Sequence, residues 1–373
     1  MYYLAIETSC DETALAVLRL KKNVEPKSYY EYMNSFEVLA SIVSSQIEIH
    51  KEYGGVVPEV GARTHSSQIH LIFEEILEKL YPQKNLEDQL EEFSNNLKEI
   101  FVTNKPGLKS ALRVGEEFAK SIKFFLWHNF SLQVQVQCID HLHGHLSSCF
   151  FDNEQNLDND AKIFPHLHLI VSGGNSQILF LENPKKWSIL GTTLDDAAGE
   201  SLDKIGRMLG LPYPGGVWIS KIAGIIEDNS MNFPVGMNNS KLAYSFSGLK
   251  TSVRVFLEKV DVAGFVIEKK LNTNEIEQLI QSNGGLNPKL KLIKEVCISS
   301  QNVIVNQLVN KLNLAIDEYQ PSSIGLSGGV SANPLLRQKI QSLDVSSVLI
   351  PPIDLTGDNA VMIALAGLSK KYI

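Results

Sequence analysis

Residues 2–20 read YYLAIETSCDETALAVLRL, and this stretch decides the fold. An apolar run over 2–6 passes through a polar turn at 7–13 into a second apolar run over 14–20. Two such runs joined by a short polar segment predict a β-hairpin. Its tip carries Glu7, Thr8, Ser9, Asp11, Glu12 and Thr13. Hydroxyls and carboxylates gathered at a hairpin tip suit a metal–phosphate site, although a solvated turn is the plainer reading of any one hairpin. A second hairpin follows the same plan: HLHLIV at 166–171, SGGNS at 172–176, and a strand over 177–181. The paired glycines leave backbone amides unscreened by side chains, which is how a turn cradles a phosphate.

Outward from these hairpins, strands alternate with helices. A third strand-like segment covers 38–46, and a helix follows YGGVVPE (53–59) through Arg63, His65 and His70 to Leu80. The polar piece 83–99 reads as helix and connector, 100–103 as a strand, 109–126 as a helix and 133–139 as a strand. In the second half, a helix from about Ala197 to Leu209 stops at Gly210 and Pro212, and Pro214-Gly215-Gly216 reads as a turn. A helix at 296–318 precedes the strand 323–326, and SGGVSAN (327–333) opens the next helix. A Gly-Gly turn between a strand and a helix N-terminus is a nucleotide-contact geometry, weak when taken singly. Strand 347–351, loop 354–359 and helix 360–370 close the pattern. Repeated strand–turn–helix order predicts an α/β protein.

The chemistry concentrates at DHLHGHL, residues 140–146. On a helix, His141 and His145 are four apart and share a face. Two neutral imidazoles at that spacing can bind one metal ion. The best candidate for a third, hard ligand is Asp358, in LTGDNA (355–360). A polar, partly exposed helix is the competing reading of the histidines.

The totals narrow the class. The 373 residues suffice for two domains, and 44% apolar with 20% charged is ordinary globular composition. No apolar run approaches the ~20 residues that cross a bilayer. The N-terminus enters a strand pattern at once and shows no export or import signal, so a cytoplasmic setting is expected. Cys10, Cys138, Cys149 and Cys297 form no CxxC and no disulfide framework. A net charge of −8 argues against a broad nucleic-acid surface, so an RNA partner must meet a local basic patch or come with another subunit.

Eight segments together resemble the TsaD family of tRNA adenosine threonylcarbamoyltransferases, on its bacterial and organellar branch. They are IETSCDETALAV (6–17), YGGVVPE (53–59), HxxxH (141–145), VSGGNSQI (171–178), LDDAAGESLDKIGRMLGLPYPGG (194–216), YSFSGLKT (244–251), LSGGVSAN (326–333) and GDNAVMIA (357–364). The resemblance implies an actin/hexokinase/Hsp70-like (ASKHA) fold with nucleotide and metal in its cleft. The lobes would be 1–137 with 358–373, and 138–357. It implies transfer of a threonylcarbamoyl group from threonylcarbamoyl-AMP to the adenosine 3′ of the anticodon in tRNAs reading A-starting codons. Carried over by motif, His141, His145 and Asp358 would hold one divalent metal, Fe²⁺ expected and Zn²⁺ the alternative. Ile170, Val171, Ser172, Gly173, Gly174, Asp203, Gly216 and Asn333 would hold the adenylate, and Asp11 and Glu12 would serve catalysis. A paralogous ASKHA scaffold subunit and a small ATPase subunit are the implied partners beside tRNA, with no membrane.

The sequence departs from the family pattern in places. Lys105 replaces the first glycine of a Gly-Pro-Gly, Asn175 stands where a histidine is usual, and His143 is an extra potential ligand between the metal histidines. The segments 83–99, 152–163 and 258–290 are longer than usual. Two other ASKHA classes compete. A non-catalytic scaffold would lack HxxxH and the distant Asp, and an ATP-hydrolysing enzyme would bind Mg²⁺ without a histidine pair. A protease reading finds no Ser–His–Asp logic and no HExxH glutamate.

Overall fold

A computed structural model describes every residue except 153, 154, 156, 228–230, 237–240, 261–269, 282–284 and 373. Parts of the long segments 152–163 and 258–290 therefore lie outside the described residues. The chain forms two compact units, Met1–Ile163 with Pro351–Ile373, and Phe164–Ile350.

The first unit is a five-stranded mixed sheet of β1 (Tyr2–Glu7), β2 (Glu12–Leu20), β3 (Phe36–Ser45), β4 (Leu97–Lys105) and β5 (Gln135–Asp140), in the order β3-β2-β1-β4-β5. The hairpin expected from residues 2–20 is present, antiparallel and in register from Tyr2↔Arg19 to Glu7↔Ala14. β1 is central and wholly buried, which is why YYLAIE shows no polar alternation. The helices Pro58–Leu80 and Lys109–Phe130 bury Ile69, Ile72, Ile76, Ile122 and Leu126 in one cluster with Leu4, Ile6, Leu15 and Val17 of the sheet. All ten residues of the last helix, Ala360–Ser369, are buried. Burying its Val361, Met362, Ile363, Leu365 and Leu368 stabilises the unit by roughly 1.5–3 kcal/mol for each side chain. A Cβ at Gly367 would lie 2.4 Å from Phe101, so a glycine is needed for this helix to meet β4.

The helix His141–Ser148 packs on that last helix through Gly144, where a Cβ would sit 2.9 Å from Ile363. Residues 138–163 and 351–357 group with the first unit, whereas the sequence reading places them in the second lobe.

The second unit repeats the plan with β6 (His166–Val171), β7 (Ser176–Asn183), β8 (Lys186–Thr192), β9 (Ser323–Ser327) and β10 (Val348–Leu349), in the order β10-β9-β6-β7-β8. In both units the first strand is central, with antiparallel partners on one side and parallel ones on the other. The fold is α/β, with a mixed five-stranded sheet of the same strand plan in each unit. The long helix Pro288–Tyr319 forms much of the second core.

Among the elements that were not legible are β8 and one helix of the second unit. β8 is an exposed edge strand, so KWSILGT shows no clean alternation. The turn ahead of it is set by Asn183, whose Oδ1 accepts from the amides of Lys185 and Lys186. Pro214-Gly215-Gly216 is not a turn but the start of the helix Gly215–Ala223, with Pro214 at its N-cap. The glycine pair serves close packing, since a Cβ at Gly206 would lie 2.6 Å from Gly215 Cα.

Candidate active site

Glu7 ends β1 and Glu12 begins β2, so the tip shrinks to residues 8–11. It is pinned from several sides. Thr8 Oγ1 donates to Ala111 O at 3.0 Å, and Leu108 N donates to Ser9 O at 2.8 Å. Gly107, at φ 154°, packs so tightly on Ser9 that a Cβ would lie 2.7 Å from the Ser9 carbonyl oxygen. Lys105, two residues earlier, is exposed and stands opposite Asp140 in the β4–β5 ladder.

Beside this tip the histidine helix starts at Asp140, whose Oδ1 accepts from Leu142 N at 2.9 Å. Asn359 caps the last helix likewise through Met362 N, which fixes Asp358 just outside it. The two caps bring together ligands 213 positions apart: Asp358 Oδ1 lies 3.1 Å from His145 Nε2 and 3.5 Å from His141 Nε2. One ligand atom from each of His141, His145 and Asp358 falls within 4.8 Å of the others. His143 projects from another face and its Nε2 meets Ser369 Oγ at 3.2 Å, so the structure does not place it as an extra ligand.

The donor set fits a divalent cation. His145 is fully buried, yet among the described residues neither ring nitrogen has a hydrogen-bond partner. Its Nε2 faces Asp358 outside hydrogen-bond geometry, as two ligands aimed at one point would. Charge points the same way. Burial pushes Glu12 well above the usual carboxylate range, and Asp11, Asp358 and Glu7 add to the shift. Such crowding of like charge is relieved by a cation. Burial would lower His141, but Asp358 and Glu7 outweigh it and lift its pKa to about 9. Burial works to raise Asp358, while His141 and His145 draw it down to about 2. A metal would compete with the proton this cluster retains.

One decisive residue went unassigned in the sequence reading beyond its place in the tip. Glu7 is wholly buried. Its Oε1 accepts from Ser9 N at 2.5 Å, and its Oε2 accepts from Thr103 Oγ1 at 2.5 Å and faces His141 Nδ1 at 3.2 Å. Ser9 Oγ is also 3.2 Å from that Nδ1. A carboxylate behind a ligating histidine fixes its tautomer and presents the other nitrogen outward. The available signal was a lone carboxylate ending an otherwise apolar strand.

In the second unit the expected binding residues form one connected neighbourhood. Ser172 N donates to Asn175 O at 2.8 Å, and Ser172 Oγ accepts from the amides of Gly174 and Asn175. A Cβ at Gly173 or Gly174 would meet nothing within 4 Å, so the turn is open on that side. Gly199 packs beneath it, with a Cβ position only 2.6 Å from Ser172 O. Gly328, at φ 88°, approaches Val171 O in the same way, next to Ile170 on β6. Asp203 Oδ1 accepts from Gly216 N at 2.8 Å. Asn333 Nδ2 donates to Ser220 Oγ and Gln301 Oε1, and its Oδ1 accepts from Leu336 N, so it ties this loop to the helix of Gly216.

The family model for TsaD, tRNA N6-adenosine threonylcarbamoyltransferase, matches residues 37–365. The chain belongs to the TsaD family. A tRNA N6-adenosine threonylcarbamoyltransferase of Thermosipho melanesiensis is 38% identical over 98% of this chain and 94% of that protein. One from Listeria monocytogenes is 37% identical over 98% of this chain and 90% of its own length. One from Bacillus subtilis is 33% identical over the same shares. This TsaD is thus a transferase that moves a threonylcarbamoyl group onto adenosine in tRNA. No helix among its described residues is long and apolar enough to cross a membrane.

Proposed function

We propose that this chain takes the threonylcarbamoyl group from threonylcarbamoyl-AMP and places it on the exocyclic amino group of the adenosine 3′ of the anticodon, in tRNAs reading A-starting codons. The observation that carries the site assignment is the convergence of His141, His145 and Asp358 beside the acidic hairpin tip. These three would hold one divalent metal, Fe²⁺ first and Zn²⁺ second given the imidazole–carboxylate set. When bound, such a metal supplies Lewis acidity toward a phosphate or carbamoyl oxygen.

The protein's own residues do the rest. The turn 170–174, with Asp203, Gly216 and Asn333, would hold the adenylate. Its amides and open glycine face favour the phosphate that becomes the leaving group. The adenine nitrogen attacks the carbamoyl carbon, a C–N bond forms, the carbon–oxygen bond to phosphate breaks, and AMP departs. Adenine's amino group is a poor nucleophile, so positioning supplies much of the rate. Asp11 or Glu12 takes the proton released from that nitrogen. A paralogous scaffold subunit and a small ATPase subunit are the partners this reading expects, in the cytoplasm. The test is metal content and AMP release for wild type, Asp358→Ala and Asp203→Ala, with tRNA and threonylcarbamoyl-AMP present. Loss of metal only in Asp358→Ala, and a raised donor KM in Asp203→Ala, are expected. Normal metal content and turnover in Asp358→Ala would sink the assignment.

A further inference from the structure

The helix Pro58–Leu80 contributes one fully buried imidazole, His65, that the chemistry above does not use. It reaches the first hairpin at two points. Its Nε2 lies 3.1 Å from the carbonyl oxygen of Cys10, and its Nδ1 lies 2.7 Å from Thr13 Oγ1. Those two residues flank Asp11 and Glu12. Gln46 completes the hold: its backbone N–H donates to Asp11 O at 2.8 Å, and its side-chain Nε2 lies 3.1 Å from His65 Nδ1. Behind it, Gln46 Oε1 faces His50 Nε2 at 3.3 Å.

One protonation state satisfies every contact. A carbonyl can only accept, so Nε2 must carry the hydrogen, and Nδ1 is then free to accept from the Thr13 hydroxyl or the Gln46 amide. A doubly protonated ring would face the Gln46 amide with a second donor. Burial holds the pKa of His65 below the ordinary histidine value, against the opposing pull of the Cys10 carbonyl, Glu7 and Asp11, with His50 lowering it further.

We infer that His65 is a positioning residue for the transfer reaction: a neutral imidazole that grips both ends of the Asp11–Glu12 segment and sets where those carboxylates point. The inference rests on the reading that this pair serves catalysis. It acts on orientation, so the effect belongs in kcat rather than in metal or donor affinity.

The test uses the full chain with tRNA, threonylcarbamoyl-AMP and its helper proteins. His65→Ala is expected to lower kcat on the order of ten- to a hundredfold, the usual effect of a slightly misplaced catalytic group. Metal affinity and donor KM should stay within about twofold. His65→Gln places an amide donor near the former Nε2 and should recover most of the loss, whereas Thr13→Val removes the other grip and should cost several-fold. A folded His65→Ala with wild-type kcat overturns the inference. So does a loss that tracks metal affinity or melting temperature, which would mark a merely structural role. If His65→Ala does not fold, His65→Gln and Thr13→Val decide by the same split of kcat from metal affinity. Asp11→Asn and Glu12→Gln are measured alongside. If both keep wild-type kcat, the catalytic reading of the pair has failed. If they lose activity while folded His65 variants do not, only the positioning role has failed.

Discussion

Glu7→Gln is the sharpest perturbation of the metal centre, because it preserves shape and removes one charge. The carboxylate carries three contacts: Ser9 N–H, Thr103 O–H and the Nδ1 of His141. An amide keeps one oxygen, so its NH₂ must face either Ser9 N–H or the Thr103 hydroxyl and His141. Hydrogen bonds to a charged group are worth about 1.5–3 kcal/mol. Loss of the carboxylate behind a ligating histidine typically weakens metal affinity by about 10–100-fold, which is about 1.4–2.8 kcal/mol. The two figures agree, so Glu7→Gln is expected to bind Zn²⁺ or Co²⁺ roughly 10–100-fold more weakly in competition with a chromophoric chelator. Thermal melts of the metal-free variant separate this from unfolding. A folded Glu7→Gln with wild-type affinity would refute the claim that Glu7 orients His141.

Other outcomes follow from the same contacts. Gly199→Ala puts a Cβ 2.6 Å from Ser172 O and should displace the 172–175 turn, raising the donor KM at least several-fold while metal affinity is unchanged. His166 titrates near 6.5 in an unfolded chain and, through burial, at about 3 in the fold. The unfolded chain therefore binds the extra proton across that window, and stability should fall as pH drops from about 6.5 toward 3, by up to about 1.4 kcal/mol per unit from this group. Urea melts at pH 7 to 4 should show a shallower decline in His166→Gln. With its net charge of −8, the isolated chain should bind tRNA only weakly at physiological salt, and fluorescence anisotropy showing tight binding there would contradict that expectation.

The three candidate metal ligands were more legible than their supports. His141 and His145 announce themselves by helical spacing, and Asp358 sits in a short loop before an apolar helix. Their meeting depends on Gly144 against Ile363 and on the caps Asp140 and Asn359, which a linear reading sees only as a glycine and two polar residues. Pro214-Gly215-Gly216 carries turn chemistry but serves helix-on-helix contact at Gly206, so composition pointed the wrong way. The brace of His65 and Gln46 was invisible for another reason. It links the carbonyl of residue 10 with the side chains of 13, 46 and 65, which are far apart in sequence, and no local period encodes that.

The central claim is that His141, His145 and Asp358 form the metal centre of a tRNA threonylcarbamoyl transfer. Nucleoside mass spectrometry tests it most directly, on tRNA incubated with threonylcarbamoyl-AMP, helper proteins and either wild type or His141→Ala/His145→Ala. The account predicts threonylcarbamoyladenosine from the wild type and none from the folded double variant. Equal product from both would contradict it.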